Sequence, residues 1–355
     1  MQTLEIIQPI MPEHKDNILL IGMGAVGSIA AYALTCRGKS VVTCVVRSHY
    51  NLMVTKGLKI DSVDYGQVEG FSPDHVERTA GEAMEKYGPF DYVVIAMKNI
   101  PDVSPIEKIA AECYDDKTAF VLLQNGIGID KPFFKRFPKA YLISGVSMIG
   151  AVLYGDTVKQ MGPDFVTFGP FLNKELPEDL QIAKCRRFVD LYSNEHNDSR
   201  YVFNVKETRW KKLVYNSAMN TTCAVTGVDS GRLDLFGGSD SLVIPAMKEV
   251  IAIAKADGVI IEDSVIPYML RGGGGVYYPP SMLVDIRKGN YTEYKTIIDN
   301  VVKIANSYKV PAPTLTVLCN ILHIMQMSAM EKKGRFVLPK ERPPREDHYE
   351  IKFID

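Results

Sequence analysis

From Asn17 the chain reads NILLIGMGAVGSIAAYALTCRG: an apolar run, a turn with glycine at 22, 24 and 27, then small residues at helical spacing. Glycines in the order GxGxxG allow a tight turn, bring backbone close enough to touch a pyrophosphate, and let the helix press on the strand. The helix N-terminus adds N–H donors and a positive dipole. The context makes the motif informative, because a strand precedes it, a helix follows, and a second apolar run, SVVTCVVR, comes next. This is a βαβ opening. Short apolar runs at Tyr92–Met97 and Ala119–Leu123 read as further buried parallel strands, so a doubly wound sheet is expected. Gly22, Met23, Gly24, Ala25, Val26 and Gly27 are therefore candidate cofactor-binding positions.

The second strand ends at Arg47, followed by Ser48 and His49. A site for the unphosphorylated dinucleotide usually carries Asp or Glu there for the ribose hydroxyls, whereas arginine suits a 2′-phosphate. NADPH/NADP is the expected cofactor. Lys98, just after YVVIAM, is a candidate second cation near that phosphate. Flavin and S-adenosylmethionine sites share the glycine turn, and an ordinary exposed arginine is the plain alternative for Arg47.

A chain of 355 residues exceeds the ~250–300 at which one hydrophobic core stops growing, so two domains are expected. The reading divides the chain into an N-terminal extension (1–16), a Rossmann-type NADPH-binding α/β domain (17–205), a mostly α-helical substrate domain (206–330) and a C-terminal tail (331–355). Gly145, Gly150, Gly155 and Gly162 punctuate short runs that predict hairpin-like strands extending the sheet at its far end. A helix is expected over Glu178–Tyr192. Asn204 with Glu207 offers a capping-box-like start for a long helix through Trp210 to about Thr222. Helical patterns follow at Asp240–Ala256, Ser281–Lys288 and Thr292–Tyr308. The tail, charged and rich in proline, reads as a surface-hugging extension.

A formal net charge of −1 gives no overall positive field for a phosphate backbone, which argues against nucleic acid as the main partner. The six cysteines are scattered, without CxxC spacing or a histidine at ligand distance, so neither a metal nor a disulfide framework is expected. The first sixteen residues lack the uncharged core of a secretory signal, and no uncharged run reaches membrane-spanning length. A cytoplasmic protein without a membrane partner is expected. Oligomeric state stays open, a homodimer being one option.

Lys212, Asn216 and Asn220 are four apart and share one face of the expected helix among Leu213, Val214, Ala218 and Met219. A lysine there suits proton donation to a developing alkoxide, and the amides suit holding it or a substrate oxygen. A solvated polar face is the alternative.

At these residues the chain resembles the ketopantoate reductase (2-dehydropantoate 2-reductase) family over most of residues 17 to 330. The resemblance rests on GMGAVG at Gly22–Gly27, QNG at Gln124–Gly126, WKKLxxNxxxN at Trp210–Asn220 and SMLxDIRxxxxTE at Ser281–Glu293. It implies NADPH-dependent reduction of 2-dehydropantoate, with the 2-oxo acid as small-molecule partner. Lys212 would be the general acid, and Glu293 would orient the substrate's hydroxyl end. Asn216, Asn220 and Ser281 would line the substrate site, Asn125 would sit at the nicotinamide end, and Arg47 and Lys98 would match the adenosine-phosphate contacts. Read alone, Glu293 is a solvated helix-start carboxylate.

After Glu293 the family's TEIDxING becomes TEYKTIID, with Lys295 and Ile298 at the Asp and Asn positions. That departure favours, as an alternative, a reductase of another 2-oxo acid or ketone. A non-catalytic NADPH-binding sensor is a third reading. The tetraglycine Gly272–Gly275 is a candidate lid hinge, or equally an inert loop.

Overall fold

The computed structural model describes residues 14–271, 276–345 and 349–354; the tetraglycine Gly272–Gly275 lies outside them. These residues form two compact units. The first comprises the described residues up to Met97 with Ile109–Leu123 and Phe137–Phe203; the second comprises Lys98–Lys108, Gln124–Arg136 and the described residues from Asn204 on.

The strands all lie in the first unit: β1 (Asp16–Ile21), β2 (Ser40–Val45), β3 (Leu58–Ser62), β4 (Gly66–Phe71), β5 (His75–Glu77), β6 (Tyr92–Ile95), β7 (Ala119–Leu122), β8 (Tyr141–Ser147), β9 (Ala151–Tyr154), β10 (Thr157–Gln160), β11 (Phe165–Phe171) and β12 (Asp198–Tyr201). Eight of them make one sheet in the order β12-β11-β8-β7-β6-β1-β2-β5. At its centre β1 pairs in parallel with β2 (Ile18↔Val42) and with β6 (Leu20↔Val94). Ile18, Leu19 and Leu20 are wholly buried, which explains the unbroken apolar run: both faces of the strand are covered. Each such side chain contributes about 1.5–3 kcal/mol relative to an exposed one. The expected doubly wound α/β architecture is present.

The glycine-punctuated stretch behaves differently from the expectation. β8 and β11 do extend the main sheet, antiparallel to each other, but β9 and β10 leave it. They form a hairpin in a second sheet, β4-β3-β10-β9, with β10 parallel to β3. Gly150 and Gly162 pinch the neck of this hairpin, where the Met161 N–H donates to the Gly150 carbonyl at 2.7 Å. Val158 of β10 and Ile60 of β3 then join the buried core that also holds Ile29, Ala30 and Ala33 of the first helix.

The second unit is helical. Helix Val205–Tyr215 continues through a wide π turn at Asn216–Asn220 into Thr221–Thr226. Further π turns at Ser239–Val243 and Lys295–Asp299 lead into Ile244–Ala256 and Asn300–Tyr308. Ser281–Arg287 and the long Pro313–Lys332 complete the main elements. Trp210, Val214, Met247, Val250, Ile297, Leu315 and Leu322 form the core. The expected capping box at Asn204 does not form: Asn204 makes no side-chain cap bond, and Glu207 accepts from Lys211 Nζ at 2.6 Å instead. A capping box is present at Thr79 and Glu82.

Candidate active site

In the first unit the glycine turn has the stereochemistry its spacing demands. Gly22 adopts φ +105°, and a Cβ there would lie 2.6 Å from the Met97 nitrogen. A Cβ on Gly27 would lie 1.9 Å from the Gly22 carbonyl oxygen, so helix and strand touch through these two residues. Gly24 differs, since a Cβ there would meet nothing within 4 Å. It precedes helix Ala25–Thr35, whose first turn carries no acidic side chain and no side-chain cap. A helix start without a side-chain cap, beside an exposed glycine, fits a pyrophosphate. Met23 is buried in the core, with Ala25 and Val26 half-buried.

Arg47 is exposed, two residues beyond β2. Beside it in the sheet, β5 ends at Glu77, and the following Arg78 stacks 3.9 Å above the Tyr50 ring and donates to Asn51 Oδ1 at 3.2 Å. This basic, aromatic rim at the carboxyl ends of two parallel strands was not legible in the sequence, because β5 has only three residues.

In the second unit, Lys212, Asn125 and Glu293 form one hydrogen-bonded chain. Lys212 Nζ donates to Asn125 Oδ1 at 2.8 Å, and Asn125 Nδ2 donates to Glu293 Oε2 at 3.3 Å. Glu293 Oε1 accepts the backbone N–H of Asn99 at 3.0 Å. Glu293 is only 5% exposed, so it is no solvated helix-start carboxylate. Burial raises its pKa, opposed by the Lys98 charge and by the donors from Asn99 and Asn125. Burial, with the nearby Arg209 cation, lowers Lys212 to about 8 against the pull of Glu293.

Gly126 allows the loop to present Asn125. It adopts φ +98°, and a Cβ would sit 2.4 Å from the Thr296 carbonyl oxygen. The π turn that follows Glu293 supplies that carbonyl: a π turn leaves a C=O without a helical partner, and Thr296 O accepts the Ile127 N–H at 3.0 Å. Ile297 O likewise accepts Ser217 Oγ at 2.6 Å, tying this turn to the one at Asn216–Asn220.

Asn216, Asn220 and Ser281 come together as expected: Asn220 Nδ2 lies 3.3 Å from Asn216 Oδ1 and 3.5 Å from Ser281 Oγ. Asn220 Oδ1 is buried without a hydrogen-bond partner. Lys98 pairs with the buried Asp285 and lies close enough to Glu293 to favour its ionised form. Its ammonium thus belongs to this cluster.

Several residues that sequence reasoning passed over complete the site. Arg209, on the Lys212 helix, is buried and donates to the carbonyls of Gln124 at 2.8 Å and Gly126 at 3.0 Å. Gln326 accepts the Thr292 N–H at 3.0 Å and donates to Asp102 Oδ2 at 3.2 Å, bracing both segments that meet at Glu293. The QNG motif pointed to the loop, but no local signal pointed to Arg209, Asn99 or Gln326. Of the departures after Glu293, Lys295 pairs with Asp299 at 3.3 Å and Ile298 is wholly buried in the helical core. Among the described residues there is no group of three or more His, Cys, Asp or Glu able to hold a metal, and no helix long and apolar enough to cross a membrane.

The sequence matches the family described as "Ketopantoate reductase PanE/ApbA" over residues 18–173, and "Ketopantoate reductase PanE/ApbA C terminal" over residues 204–326. An uncharacterized protein of Saccharomyces cerevisiae is 35% identical, covering 90% of this chain and 96% of its own. The 2-dehydropantoate 2-reductase of Halobacterium salinarum is 21% identical, covering 87% and 99%. The crystal structure of 2-dehydropantoate 2-reductase from Methylococcus capsulatus superposes with a TM-score of 0.73 at 25% identity, covering 88% of this chain and 97% of that one.

Proposed function

Because the chain belongs to the ketopantoate reductase family, we propose that it reduces 2-dehydropantoate to pantoate with NADPH, Lys212 acting as general acid. The observation that carries this reading is the chain Lys212–Asn125–Glu293. A reduced nicotinamide dinucleotide, when bound, would supply the hydride for the keto carbon. Gly22, Gly24, Gly27 and the N–H groups opening helix Ala25–Thr35 would hold its pyrophosphate, and Arg47 its 2′-phosphate.

The chain's own residues account for the proton. Carbonyl reduction places a negative charge on oxygen, and a positioned ammonium both stabilises that charge and donates the proton that quenches it. The bond from Lys212 Nζ to Asn125 Oδ1 fixes the ammonium in the position from which it would donate its proton. Its pKa of about 8 leaves it mostly protonated at neutral pH and a stronger acid than an ordinary lysine. After donation, the neutral amine regains a proton from solvent.

Glu293 is held on two sides by Asn99 and Asn125 and accepts the substrate's hydroxyl. Asn220 and Ser281 line the same site, where the free Asn220 Oδ1 accepts a donor from substrate. Lys295 and Ile298 are taken up by an ion pair and by the core, which supports ketopantoate over a substrate recognised through those positions.

Loss of reduced-nicotinamide absorbance tests the reading, with 2-dehydropantoate and a panel of 2-oxo acids, using NADPH and then NADH. Selective turnover of 2-dehydropantoate with NADPH is expected. Turnover of another 2-oxo acid alone would overturn the substrate and leave the acid chemistry; NADPH binding without any turnover would favour the sensor.

A further inference from the structure

Arg209 takes no part in the chemistry above, yet it is a fully buried cation on the Lys212 helix, three residues earlier and on the same face. Its Nη1 donates to the carbonyls of Gln124 and Gly126, the two residues that flank Asn125. Asn125 in turn bridges Lys212 and Glu293.

We propose that Arg209 is a positioning residue of this site: it clamps the main chain on both sides of Asn125, and so holds the amide that bridges Lys212 and Glu293. The inference rests on Lys212 being the acid of the proposed reaction.

A guanidinium serves here because it stays charged in a dry environment and the two N–H groups of its Nη1, held in the plane of the head group, reach both carbonyls. Asp130 faces Arg209 from the end of the QNG loop and partly offsets its charge. Facing Lys212 are Arg209 from its own helix and Glu293 from the segment before the π turn. Lys98 and Asp285, from the 98–108 segment and helix Ser281–Arg287, act on Glu293. Arg209 is the cation in this set that lowers the Lys212 pKa, as a like charge does in a medium of low polarity.

The test needs no turnover. In the full-length protein with 13C-labelled lysines, assigned through Lys212→Met, the Lys212 resonance is titrated by NMR in wild type, Arg209→Gln and Arg209→Lys. The wild-type midpoint is expected near 8. Arg209→Gln should raise it by roughly half a unit to one unit, and Arg209→Lys should hold it near wild type. With an active substrate, Arg209→Lys should lower kcat about tenfold at unchanged NADPH affinity, because the shorter, non-planar head group does not place its donors at both carbonyls in the same geometry.

An unchanged midpoint in folded Arg209→Gln overturns the proposal. If that variant fails to fold, Asp130→Asn serves instead: removing the offsetting carboxylate should lower the midpoint, and no shift overturns the proposal. A shifted midpoint in a protein that reduces no 2-oxo acid leaves the coupling of Arg209 to Lys212 standing and removes the proposed reaction.

Discussion

Asn125 joins Lys212 to Glu293, accepting from the lysine through Oδ1 at 2.8 Å and donating to the carboxylate through Nδ2 at 3.3 Å. One amide therefore fixes both charged groups and separates them, so that neither neutralises the other by direct contact. If Lys212 is the acid, Lys212→Met should lower kcat/KM for the 2-oxo acid by about 10²–10⁴-fold with the NADPH dissociation constant unchanged. Turnover within a few-fold of wild type would remove Lys212 from that role.

Glu293→Gln separates function from stability. The buried carboxylate has a raised pKa, so the folded state binds its proton more tightly than the unfolded chain does. Stability from this group is present at low pH and lost as pH rises from the ordinary carboxylate range through the folded pKa. Replacing it by an amide should remove this pH dependence of Tm, while KM for the 2-oxo acid rises about 10–100-fold through the lost charge-assisted hydrogen bond. A fall in Tm with unchanged KM would assign Glu293 a structural role.

Gly126→Ala tests whether the QNG loop has to lie against the π turn. The new Cβ would approach the Thr296 carbonyl to 2.4 Å at a φ of +98°. A loss of about 1–3 kcal/mol in denaturant unfolding is expected, together with a lower kcat as Asn125 is displaced. Wild-type stability and rate would contradict the close approach.

Arg47→Gln addresses the choice of dinucleotide. NADPH affinity should fall at least about tenfold, and NADH affinity should stay the same. Equal behaviour of wild type and variant toward NADPH would leave Arg47 an ordinary exposed arginine.

The α/β unit was legible because its constraints are local: strand, GxGxxG and helix are contiguous, and β1 is apolar on both faces because both are covered. Lys212, Asn216 and Asn220 could be aligned by helical spacing, although the spacing did not show that Asn216–Asn220 form a π turn. Glu293 could not be read as buried from its neighbours, since its partners, Asn99 and Asn125, lie far away in the chain. The same holds for Arg209, whose acceptors are main-chain carbonyls that no side-chain pattern announces. The departure of β9 and β10 into a second sheet also depended on a distant partner, β3.

The most direct test of Lys212 as acid is the rate of single-turnover reduction of 2-dehydropantoate by NADPH, followed from neutral to alkaline pH. A donor must be protonated, so the rate should be full below the Lys212 pKa and fall as pH rises through about 8. That break should be missing from the slow residual reaction of Lys212→Met. A break that persists in the variant, or a wild-type rate that rises through the same range, would contradict the assignment.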